Sequence, residues 1–231
     1  MFRALICAIW RLICSTATAT AACACAPAAA TMARRSVMAC TAASAATARL
    51  NWPIAAIMST TPAHLASMRA AGRVVAEMHD KTQAALRPGV TTGELDVIAR
   101  EVLERRGARS NFLGYHGFPA VICASPNEVV IHGIPGDRRL DEGDIIGIDC
   151  GAIIDGWHAD AAFTAGVGVI SDEATRLIEV TRRSLEAGID QFRAGARMGD
   201  VGAAVQAVVE GADLCVVDGY VGHGIGRAMH E

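Results

Sequence analysis

GDIIGIDCGAIIDGWHAD, residues 143–160, decides the fold. Ile145, Ile146 and Ile148 among small residues read as a buried strand that Asp149 closes, CGAII continues as a second short apolar stretch, and Asp155-Gly156 is a strong turn signal. Asp160 follows Asp149 by eleven positions, and an odd separation across a hairpin turn brings two strand carboxylates side by side. Two like charges that close need a cation or a shared proton between them; the bland alternative is that one or both acids cap surface turns. His158 falls on the face of Asp160 by period-two alternation, and Cys150 on the face opposite Asp149, so Cys150 is read as neither ligand nor nucleophile.

Working outward, GHGIGRAMHE at 222–231 sets His223 and His230 among three glycines in five positions, which permit unusual backbone angles and close approach to a ligand. A phosphate-cradling loop is the rival reading, but no Lys-Ser/Thr pair follows and no dinucleotide fingerprint opens a helix here. His230-Glu231 also resembles the start of a zinc HExxH motif, whose second histidine the sequence does not contain. His132, in VVIHGIP, is read as a hydrogen-bonded structural histidine at a turn, and His64 and His79 as surface or helix-packing residues.

Four ordered motifs, HGFP at 116–119, NEVVIHGIP at 127–135, the 143–160 run and GHGIGRAMHE, together resemble the type I methionine aminopeptidases of peptidase family M24, over roughly Ser59 to Glu231. The resemblance implies a two-metal site with Asp149, Asp160 and His223 as ligands, His116 contacting the substrate near the scissile amide, and His230 binding the substrate carbonyl. The divalent ions it implies are Co, Mn, Fe or Zn, holding a bridging hydroxide that attacks the first peptide bond of a nascent polypeptide. Its substrates are nascent N-termini, with a transient approach to the ribosome, and the expected state is a monomer. Family members use two further glutamate ligands toward the C-terminus, one of them the proton shuttle, and neither position is present in this sequence. The expectation is therefore a fragment whose own turnover is open. A proline-specific aminopeptidase of the same superfamily and a catalytically inactive peptide-binding protein are the alternatives.

Helices flank these strands. Residues 61–86 carry Leu65, Met68, Val75, Met78 and Leu86 at near-helical intervals, with Pro62 in the first turn and Arg87-Pro88-Gly89 as the stop. Thr91 with Glu94 offers a capping box for a second helix bearing Leu95, Ile98, Val102 and Leu103. The stretch 85–107 is echoed at 191–212 with an offset of 106, Arg87-x-Gly89 matching Arg193-x-Gly195. This internal repeat points to two similar halves. It agrees with the α/β (α+β) pita-bread, creatinase-like fold of pseudo-twofold halves that the resemblance implies, the second half incomplete.

Residues 1–57 differ in composition: five arginines, no Asp or Glu, five of the eight cysteines and long Ala/Thr/Ser tracts. Misassigned or unstructured sequence before Met58, an organelle-type presequence and a functional arm are the competing readings, and Arg11 breaks the only candidate signal or membrane run. Residues 58–231 form the expected catalytic domain and carry all 24 acids against 16 Lys and Arg, a formal charge near −8 that the whole-chain value of −3 conceals. No broad positive stripe offers itself to nucleic acid. Isolated Cys123, Cys150 and Cys215 give no disulfide framework, which reads as a reducing cytoplasm, or an organelle if the presequence is real.

Overall fold

The computed structural model describes residues 61–217, 220 and 222–231; the readings made for 1–57 lie outside them. Two compact units divide the described chain, one made of 61–178 with 222–231 and the other of 179–217 with 220.

In the first unit, α1 (Pro62–Ala85) starts where predicted. Thr61 accepts from the His64 backbone N–H, and the His64 ring accepts from that of Thr61, so an imidazole plays the part a Glu usually takes at the third helical position. Met68, Ala71, Val74, Val75, Met78 and Thr82 are its buried stripe. Helix α2 (Thr92–Arg106) is capped by the reciprocal Thr91–Glu94 pair and ends at Gly107, whose φ of 62° is the left-handed exit glycine permits. Arg105 and Arg106 both pair with Glu77 and tie the two helices together.

Four antiparallel strands follow: β1 (Arg109–Ser110), β2 (Ile122–Pro126), β3 (Ile145–Ile154) and β4 (Trp157–Gly166). β3 pairs with the other three. Its hairpin with β4 closes on two residues, Asp155 at φ 52° and Gly156 at φ 75°, the pair of positive angles a tight twisted turn demands. Alternation then sorts the side chains. Ile146, Ile148, Cys150 and Ala152 of β3, Ala159, Ala161 and Phe163 of β4, and Ile122 and Ala124 of β2 join one core with α1 and α2. Fully burying a Leu- or Ile-sized side chain there contributes roughly 1.5–3 kcal/mol. Asp96 of α2 is built into this core: one oxygen accepts from the Val121 and Ile122 N–H groups at 2.7 and 3.1 Å, and Arg100 pairs with the other. It thereby fixes where β2 begins.

Helix α3 (Asp172–Asp190) leads into the second unit, where α4 (Met198–Glu210) buries Val201, Val205 and Val209. The repeat seen in the sequence recurs in local geometry. Gly89 has φ 87° and Gly195 φ 89°. The Glu94 carboxylate accepts from the Thr91 N–H at 2.7 Å, and Asp200 does the same for Arg197. Among the described residues, no helix is long and apolar enough to cross a membrane.

Candidate active site

The sheet face turned away from α1 and α2 carries the acids. Asp149 pairs in register with Ala162, and Asp160 with Gly151, so the two carboxylates are diagonal neighbours on one face rather than directly opposed. Such diagonal positions sit within about 7–8 Å. Asp160 is 1% exposed, and neither of its carboxylate oxygens has a hydrogen-bond partner. Burying a carboxylate in that way is costly unless a cation compensates it. Small residues make the room: a Cβ on Gly151 would lie 2.7 Å from Asn111, whose amide donates to the Ala159 carbonyl at 3.0 Å beside Asp160. Asp160 also borders a cavity of about 240 Å³ between α1 and β4, next to His79 and Gln83. His79 stands there through its ring, with Nε2 donating to the Ala161 carbonyl at 2.8 Å and Phe163 edge-on to it, so it is a packing residue as read.

Cys123 pairs with Asp149 across β2 and β3, which puts it on the same face. With Phe112, Met229 and partly buried Phe118 it forms a small apolar cluster beside the acids. Cys150 lies on the other face, fully buried in the core, where burial first and the Asp149 and Asp160 charges next push its thiol well above the usual range. His158 shares the face of Asp160; loss of water and then the Arg109 charge lower its imidazole.

The second histidine-bearing element, 222–231, is a loop closed on itself. Gly224 and Glu231 exchange two main-chain hydrogen bonds of 2.9 and 3.1 Å, and the Glu231 carboxylate accepts from the Arg227 and Ala228 N–H groups at 2.6 and 2.8 Å. Both glycines are needed for this approach: a Cβ on Gly224 would fall 2.6 Å from the Glu231 carbonyl oxygen, and one on Gly226 would fall 2.5 Å from its carboxylate. The loop is tied to β4 by the His158 N–H, which donates to the Gly226 carbonyl at 2.9 Å, and by Arg227 lying 4.8 Å from the Trp157 ring centre. Glu231 is thus the clasp of the loop.

His223 has one ring nitrogen anchored and the other unbonded. Its Nδ1 donates to the Gly224 carbonyl at 2.8 Å, because a carbonyl can only accept; the Nε2 lone pair is then directed elsewhere, buried and without a hydrogen-bond partner. A ring N–H anchored on a backbone carbonyl is the usual support of a metal-binding imidazole. His230 packs against His223 with the rings tilted by 54° and 4.2 Å between centres, and meets the Tyr115 hydroxyl at 3.1 Å through Nδ1. His116 is exposed in the 3₁₀ turn Tyr115–Gly117, its ring edge-on to Tyr115 at 4.4 Å. The structure therefore links His116 to His230 through Tyr115 and His230 to His223 by ring contact, and sets Asp149 and Asp160 diagonally on one face of the sheet. Among the described residues, no three His, Cys, Asp or Glu side chains meet as one metal-holding cluster.

Two features were not foreseen. Tyr115 joins the histidines, and the only signal for it was its place beside His116 in a glycine-flanked loop. His132 is exposed and has φ 55°, as His116 has φ 48°, a backbone region that costs a non-glycine residue about 1 kcal/mol or more. The angle falls at the turn where the sequence placed His132, and the sequence did not show that this residue bears it.

A model of the "Metallopeptidase family M24" matches residues 66–231. The chain belongs to metallopeptidase family M24. Within this family it is 46% identical over 175 residues to Methionine aminopeptidase 1 of Bacillus subtilis, covering 76% of this chain and 71% of that one. To Methionine aminopeptidase 1 of Mycobacterium tuberculosis it is 49% identical over 173 residues, covering 72% and 65%. The chain spans about two thirds of the length of such relatives. The crystal structure of methionine aminopeptidase from Rickettsia prowazekii superposes with a TM-score of 0.74 at 40% identity, covering 76% of this chain and 71% of that one. The M24 pita-bread fold is shared more widely: an Xaa-Pro dipeptidase from Bacillus anthracis reaches a TM-score of 0.66 at 20% identity over 77% of this chain and 49% of its own, a likeness of fold alone.

Proposed function

We propose that this M24 chain takes part in metal-dependent removal of the N-terminal methionine from nascent proteins. The observation that carries the reading is the donor set: a buried Asp160 carboxylate without hydrogen-bond partners, Asp149 diagonal to it, and a His223 imidazole whose Nε2 is left for a ligand. Oxygen-rich donors with one imidazole fit divalent Mn, Fe, Co or Zn. Such ions supply Lewis acidity that lowers the pKa of water and polarises a carbonyl.

Around them the chain's own residues divide the work. In this reading His230, which lies against His223, donates to the carbonyl of the first peptide bond, and His116, in contact with Tyr115, meets the substrate beside it. Phe112, Phe118, Cys123 and Met229 offer an apolar surface next to Asp149 for an unbranched thioether side chain. Two glutamates that the family places further toward the C-terminus would complete the ligands, in a second half matching the first. The remaining parts of the reading are action as a monomer in the cytoplasm on emerging N-termini, with transient ribosome contact.

One observation favours a second reading, a peptide-binding protein without turnover: no three candidate ligands meet in one cluster among the described residues. Incubating the chain with Met-Ala-Ser and added Mn or Co distinguishes the two. Release of free methionine that chelator abolishes supports the peptidase. Saturable peptide binding with no methionine released over many protein equivalents supports the binder and overturns the first reading.

A further inference from the structure

We propose that Tyr115 is a positioning residue that fixes the tautomer of His230, holding the ring hydrogen on Nε2. The role of that hydrogen in peptide cleavage rests on the function proposed above; the tautomer itself does not. The Tyr115 hydroxyl and His230 Nδ1 are 3.1 Å apart. Each group could formally donate, but a phenol is the better donor of the two and an imidazole nitrogen the better acceptor, so the hydroxyl gives its hydrogen to Nδ1. The neutral ring then carries its own hydrogen on Nε2, where it serves as a donor. The opposite tautomer would offer a substrate carbonyl only a lone pair.

Tyr115 is able to impose this because its loop is built before any ligand arrives. Gly114, at φ 83°, donates to the Phe118 carbonyl at 2.8 Å, Tyr115 donates to the Phe112 carbonyl at 2.9 Å, and Ser110 Oγ accepts from the Phe112 and Leu113 N–H groups. The Tyr115 ring is also flanked by His116 at 4.4 Å and by His230 at 5.8 Å between centres. The phenol is thus a fixed post on one loop against which the histidine of another loop is aligned. The residue adds nothing to the metal donors and touches no reacting atom; it acts through His230.

The test is ¹⁵N-histidine NMR on the full chain without metal, with the His230 signals identified by their loss in H230Q. The proposal expects the neutral His230 ring protonated on Nε2, and a change to a mixture of tautomers in Y115F. Nδ1 protonation in the unsubstituted chain, or an unchanged Nε2 tautomer in Y115F, overturns it. If methionine release is also observed, Y115F is expected to lower kcat about tenfold with KM nearly unchanged, and an unchanged kcat overturns the link to catalysis. Should no turnover be found in any variant, the proposed function fails while the tautomer result still decides this inference.

Discussion

Asp149 and Asp160 stand one diagonal step apart on adjoining strands, and the buried member, Asp160, has no hydrogen-bond donor on either oxygen. Two effects of D160N follow with opposite signs. Binding of Mn or Co, followed by calorimetry, is expected to weaken by more than about tenfold. Without metal, replacing an uncompensated buried carboxylate by an amide is expected to stabilise the fold by about 1 kcal/mol. A variant that binds metal as well as the original chain would remove Asp160 from the ligand set.

His116 and His132 both adopt left-handed backbone angles that glycine would take without strain. H116G and H132G are therefore each expected to raise the melting temperature by about 2–4 °C. Each is also expected to lower turnover of Met-Ala-Ser, since strain at an exposed side chain persists where that side chain is used. A variant that gains stability at full activity shows that its histidine does not serve the reaction, and the pair thereby tests the assignment of His116 as the substrate-contacting residue.

Glu231 clasps the loop that carries His223 and His230. E231A frees the Arg227 and Ala228 amides, at a cost of about 1 kcal/mol because the carboxylate is exposed and water replaces part of what is lost. Faster hydrogen exchange at those two amides, with the protection of β3 unchanged, is the expected signature. E231Q keeps an acceptor and is expected to fall between the two.

The Cys150 thiol is buried, and its burial and the neighbouring carboxylates keep it protonated. Iodoacetamide at pH 8 is expected to leave Cys150 unlabelled in the folded chain and to label it after denaturation. Rapid labelling under native conditions would show that β3 opens far more readily than its pairing suggests.

Much of the first unit was legible because each signal was local. Thr91 and Glu94 specify a cap by their spacing, Asp155-Gly156 specifies a turn, and the parity of 145–160 assigns faces to Asp149, Cys150 and Asp160. Asp149 and Asp160 proved diagonal rather than side by side, since a two-residue turn sets a register that parity alone does not reveal. Other features depend on contacts between distant segments. Asp96 bonding to Val121 and Ile122, Tyr115 bonding to His230 and the Arg227 approach to Trp157 join residues 25 to 115 positions apart, and no periodicity announces them. The left-handed angle at His132 was hidden for another reason, because the sequence placed it correctly at a turn but could not say which residue of the turn bears the strain.

The two-residue turn at Asp155-Gly156 has a genetic consequence. The pairing of Ile154 with Trp157 sets the face of every side chain of β4, so a slip of that register by one residue would send Asp160 toward the aliphatic core and Ala159 or Ala161 toward the acid-bearing face. An inserted codon in the turn is absorbed as a three-residue loop with a bulge and leaves the pairing intact, whereas a codon inserted within β4 itself shifts the register and removes a candidate ligand without replacing any residue of the strand. The frame of this hairpin is as much a part of the site as the acids it presents.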